Sequence, residues 1–169
     1  MKIYYCFYPI IFIIIIFTAS CTSSGKSAYE YNNVISNEEI TATESVYKFK
    51  AAIENQNYKQ LEQIKEEGIS KLTKCIENIK NLENYKGSSK YKNAALHLFE
   101  IYTEIFENEF TEIINLYKQN NKLISNEINL KILKINKQTD KKIEDAINIL
   151  KKCQIEFAEE NNLLISKGE

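Results

Sequence analysis

Cysteines, a single histidine and a crowd of glutamates are the side chains of this chain that could do chemistry. His97 is the only imidazole. A metal site in a helical bundle needs a Glu-x-x-His pair from each of two helices. One histidine, in the order His97-x-x-Glu100, cannot build that site. Glu100, Glu104, Glu107, Glu109 and Glu112 crowd one segment. Glu100 and Glu104 share a helix face, as do Glu109 and Glu112, and paired carboxylates can do acid–base work. Far more often such pairs form a solvated face balanced by lysines. Glu109 stands apart, because it interrupts an apolar stripe between Phe106 and Ile113. Buried there, it needs a partner, and a lysine from another helix is the first expectation. Cys75 and Cys153 sit on or beside apolar stripes. An up-down bundle separates them by about 15 Å along its axis, well beyond the ~5.5 Å of a disulfide, so both read as buried free thiols. These residues predict no catalytic, cofactor or metal site.

Cys21 is the exception, as a substrate rather than a catalyst. Phe7 to Phe17 is apolar almost throughout, Lys2 precedes it, and Thr18-Ala19-Ser20-Cys21 follows. An apolar run this short suits a leader peptide and is too short for an ordinary membrane span. Small residues directly before a cysteine are what lipoprotein signal peptidase requires. The sulfur then takes a diacylglyceryl group, and cleavage leaves Cys21 as the first residue. Position −3 is Thr18, where a branched aliphatic is usual. An uncleaved helix from Ile3 to Ala19 would be a minimal span, but Pro9 and the small-residue junction argue against it. Residues 1–20 therefore read as a lipoprotein signal peptide, 21–27 as a flexible tether, and 28–169 as the folded domain. The expected location is exported and lipid-anchored at a bacterial cell envelope, at the outer membrane or cell surface.

Composition narrows the rest. The basic residues are all lysine, and the formal net charge of the whole chain is −1. Bidentate recognition of phosphate relies on arginine, so the composition argues against nucleic acid as a partner. The chain has 4 glycines and 1 proline, and that proline lies in the leader. A sandwich or barrel needs many tight turns built from such residues, whereas a few long helices need almost none.

Periodicity agrees. Apolar residues recur at three- and four-residue steps over four segments. The first spans Ala28 to Asn55 and is weakly patterned from Ser36 to Thr43. The second spans Tyr58 to Tyr85, with Gly68 marking a close helix contact or a slight bend. The third spans Lys90 to about Asn121, and the fourth runs from about Asn126 to about Leu164. Between the second and third lies Lys86-Gly87-Ser88-Ser89, where Gly87 suits a left-handed helix cap and a serine the next N-cap. The predicted fold is all-α, an up-down antiparallel helical bundle of four long helices. The alternative is a three-helix bundle with the first helix packed loosely or serving as a stalk.

Three segments, Glu44–Phe49 (ESVYKF), Leu82–Leu96 (LENYKGSSKYKNAAL) and Glu107–Ile114 (ENEFTEII), together resemble a family of uncharacterised bacterial surface lipoproteins with a helical domain. The resemblance implies a surface location and a helical bundle. It implies no activity, because the family carries no known catalytic residues.

The function expected is that of a lipid-anchored surface or periplasmic protein with a non-enzymatic, binding or structural role. Its membrane partner is reached through the lipid on Cys21, and a protein partner stays open. The alternative is a bundle holding a small molecule or cofactor between its helices, for which His97 would be the axial ligand. The turn Lys86 to Lys92, with Tyr85, Tyr91 and three lysines, is expected at the tether end, facing the membrane.

Overall fold

The computed structural model describes residues 15–16, 26–55, 57–119 and 125–165. It is an all-α helical bundle. Helix α1 spans Ala28–Glu54, α2 spans Leu61–Lys80 after one 3-10 turn at Tyr58–Gln60, α3 spans Lys90–Glu107, α4 spans Glu109–Gln119, and α5 spans Asn126–Glu160. At 1.5 Å per residue α5 is about 52 Å long and sets the length of the molecule. Ile15–Ile16 (β1) pairs antiparallel with Leu164–Ile165 (β2), Ile15 opposite Ile165.

Helices α1 and α2 pack side by side, α2 and α3 follow, and α5 lies against α3 and α4. One continuous core joins them, with Ile35, Phe49, Leu61, Leu72, Ile79, Leu98, Phe99, Tyr102, Ile105, Phe106, Phe110 and Ile113 fully enclosed. The first helix is therefore a full member of the bundle. Gly68 explains how closely α2 approaches α3. A Cβ at that position would lie 2.5 Å from Cζ of Phe106, so the missing side chain admits the ring.

Helix boundaries differ from expectation, and α5 ends at Glu160, short of the expected Leu164, which lies in β2. Helix α2 ends at Lys80, five residues before Tyr85. The chain then makes a tight turn in which Ser88 N donates to the Tyr85 carbonyl at 2.9 Å, with Lys86 at φ 49° and Gly87 at φ 81°. Gly87 is thus the left-handed residue expected, but in a turn and not at a helix cap. Ser89 does precede α3, with no side-chain cap bond. The long third segment is two helices, interrupted at Asn108. Steps of four residues carry Tyr102 to Phe106, Phe110 and Ile114, all of them buried. Each such step drifts about 40° around a straight α-helix, and the interruption resets the phase so that both halves face the core. Thr111 Oγ1 donates to the Phe106 carbonyl across the break at 3.0 Å.

Candidate functional site

Cys21 lies outside the described residues, and the nearest described segment after it is the domain's first turn. Ser27 N-caps α1 in a capping box. Glu30 N donates to Ser27 Oγ at 3.2 Å, and Ser27 N donates to Glu30 Oε2 at 2.7 Å. The bond from the Ser27 backbone, with help from its hydroxyl, lowers the Glu30 pKa below its ordinary value. Ordered helix therefore begins within seven residues of Cys21.

Around this entry the bundle end is aromatic. Tyr31 stacks on Phe157 with centroids 5.4 Å apart, and Tyr85 and Tyr91 each lie 5.2 Å from the same ring. The start of α1, the turn at 85–88 and the C-terminal end of α5 thus share one end of the molecule, as the up-down order requires. The three lysines of that turn are engaged by protein acceptors. Lys86 Nζ donates to Asn161 Oδ1 at 2.9 Å, Lys90 pairs with Glu156, and Lys92 Nζ donates to the Lys80 carbonyl at 2.9 Å and the Leu82 carbonyl at 2.5 Å. Lys92 is in effect the C-terminal cap of α2, since it satisfies carbonyls that the helix leaves free. Tyr91 is buried together with its hydroxyl, which donates to Asn32 Oδ1 at 3.1 Å.

The interior holds a polar ladder where the sequence of α1 is weakly patterned. Asn32, Ser36, Glu39 and Thr43 fall on one face at steps of four, three and four residues. Gln154 Nε2 of α5 donates to Asn32 Oδ1 at 3.1 Å and to Ser36 Oγ at 3.4 Å. Thr43 Oγ1 bonds Tyr102 Oη at 3.1 Å. Burial pushes the Tyr91 and Tyr102 hydroxyls well above the ordinary tyrosine range. Glu39 is half-buried between these pairs. Burial raises its pKa, Lys151 of α5 opposes the rise, and Tyr91 and Tyr102 of α3 face it. A helical spacing of polar residues was the available signal for this ladder. It was missed because apolar residues alone defined the expected stripe.

A second cluster joins α3, α4 and α5. Lys142 Nζ lies 2.6 Å from Glu109 Oε1 and 2.8 Å from Glu104 Oε1. The Glu109 side chain is only 14% exposed, and the lysine from another helix expected for it is Lys142. The bonds that Lys142 donates to Glu104 and Glu109 raise its pKa. One ammonium shared by two carboxylates forms an ion-pair bridge across the Asn108 break, with one negative charge in excess. The two carboxylates offer no free acid–base pair.

The remaining candidates separate. His97 is exposed on α3, so it cannot act as an axial ligand to a group held in the core. Among the described residues no three His, Cys, Asp or Glu side chains are grouped to hold a metal ion. Cys75 is buried and free, and burial, aided by a bond to Glu38, pushes its thiol up to about 12, which makes it a poor nucleophile. Cys153 is free and half-buried, more open than its place on the stripe suggested. A recess lined by Ser45, Lys48, Ile64, Glu67, Gly68 and Lys71 measures about 10 Å³, room for about one water. No described helix is long and apolar enough to cross a membrane. No family model, curated protein or solved structure matches the chain. The resemblance to helical surface lipoproteins therefore rests on its three segments alone.

Proposed function

We propose that this protein is exported, acylated on Cys21 and held at a bacterial cell envelope, where its bundle serves a binding or structural role without catalysis. The observation that carries the reading is the apolar run Phe7–Phe17 ending in Thr18-Ala19-Ser20-Cys21, a few residues ahead of the capped start of α1. The six residues after Cys21 reach at most about 20 Å, so the end of the bundle at Ser27 would stay close to the bilayer. The binding or structural part of the reading is supported by the rigid core and by the way the chemistry-bearing side chains are spent. Glu104 and Glu109 share Lys142, Cys75 is a poor nucleophile, and His97 lies exposed on α3.

The test is Cys21→Ala in cells. The wild-type protein should partition with membranes and incorporate radioactive palmitate, and the variant should do neither. Unchanged labelling of the variant would remove the lipid-anchored reading.

A further inference from the structure

The first third of α5 carries a surface that the bundle does not use. From Ile128 to Thr139 the sequence contains three lysines and no acidic residue, and Lys141 follows after Asp140. Leu130, Lys134, Lys137 and Lys141 follow one another at steps of four, three and four residues, so they form one outward stripe, and Leu133 flanks it. All five side chains are exposed. Leu130, at 68%, is the most open of the exposed large apolar residues, and Leu133 is 38% exposed. Among the described residues Lys134, Lys137 and Lys141 make no ion pair, whereas Lys131 is taken by Glu127 and Lys142 by Glu104 and Glu109. Asp140 is held by Lys50 of α1. Glu144 and Asp145 close the stripe one turn further on.

We infer that this face of α5 is a docking surface for an anionic bilayer, on which the bundle lies along its length. Unpaired lysines beside exposed leucines match such a surface in both charge and polarity. The lysines meet headgroup phosphates while the leucines enter the headgroup region. The tether determines the posture. It enters beside Tyr31, which stacks on Phe157 of α5, and Leu130 lies about 40 Å along the helix from Phe157. An upright bundle would lift the stripe beyond reach, and a recumbent one places it on the membrane with the anchor still inserted. The turn at Lys86 to Lys92 cannot play this part as freely, because its lysines already have acceptors. The inference rests on the lipid-anchored reading for the nearness of a bilayer and for the recumbent posture.

The test uses the lipid-free domain from Thr22 onward, which retains the whole core, since every core residue lies between Ala28 and Leu163. Co-sedimentation would be measured at low salt with vesicles of phosphatidylglycerol mixed equally with phosphatidylcholine, and with vesicles of phosphatidylcholine alone. Binding is expected on the anionic vesicles only and should fall as salt rises. The triple variant Lys134→Gln, Lys137→Gln, Lys141→Gln should lose roughly a hundredfold in partitioning. Leu130→Ser with Leu133→Ser should also weaken binding. The charge-matched control on α2, Lys71→Gln, Lys74→Gln, Lys80→Gln, should bind like the wild type. Absence of vesicle binding at low salt overturns the inference, even if the face then captures an acidic polypeptide, and so does an equal loss in the α2 control. Because the protein tested carries no lipid, these results are independent of whether Cys21 is acylated.

Discussion

The polar ladder of α1 is the place where single residues decide how this bundle is held. Asn32, Gln154 and Tyr91 satisfy one another only when α1, α3 and α5 keep their present register, and a buried polar group left without its partner costs about 1–3 kcal/mol. Glu39 is the odd member, a half-buried carboxylate whose pKa is raised by burial against the opposing pull of Lys151. A raised carboxylate works against the folded state once it ionises. Its cost is absent below the unfolded-state value of about 4.5 and grows as pH rises through the folded-state value. Glu39→Gln is therefore expected to stabilise the domain at neutral pH and to lose that advantage at pH about 4, where both side chains are neutral. Urea unfolding at the two pH values measures it. An equal difference at both would mean that Glu39 acts through shape and not charge. Nothing in the apolar pattern marked these positions. Glu109, by contrast, was legible because a single charge inside an apolar stripe demands a partner.

Among the helices, the interruption between α3 and α4 shows what a stripe of apolar residues conveys and what it leaves open. Read as one helix, the sequence places Glu109, Ile113 and Leu116 with Tyr117 on the inner face. In the structure Phe110, Ile113, Ile114 and Tyr117 are buried and Glu109 is turned to Lys142. The four-residue steps from Tyr102 to Ile114 were visible. Their consequence was not, because drift can be absorbed by supercoiling or by a break, and only packing against α5 chooses. Lys142 holds the break by bridging Glu104 on one side and Glu109 on the other. Lys142→Met removes the cation from a carboxylate that is 14% exposed. The expected loss is about 1–2 kcal/mol, because Lys142 itself is partly open and the full penalty of a buried pair does not apply. Adding Glu109→Gln to Lys142→Met should recover part of that loss. A stability unchanged by Lys142→Met would show that Glu109 finds water instead.

At the scale of the whole molecule, scarce glycine and proline together with long amphipathic segments were enough to establish a helical bundle, and the short turns established its antiparallel order. Whether α1 belonged to the core was harder to read, since its inner face alternates Ile35, Ala42, Val46 and Phe49 with the polar ladder. The structure makes it a structural member, with Ile35, Ala42 and Phe49 fully enclosed and Phe49 stacked on Phe110 at 3.9 Å. Removing α1 would uncover Phe106, Phe110 and the Tyr102 hydroxyl together and would take Ile35 and Phe49 out of the core, and losing several large side chains at about 2–5 kcal/mol each exceeds the whole stability of an ordinary domain. A chain beginning at Asn57 is therefore expected to lose its cooperative unfolding transition in urea and to bind hydrophobic dyes, whereas the chain beginning at Thr22 unfolds in one step. If the shortened chain kept a sharp transition near the original midpoint, α1 would be a stalk between the lipid and a three-helix domain. The membrane-facing arrangement would then have to be rebuilt from α2 to α5 alone.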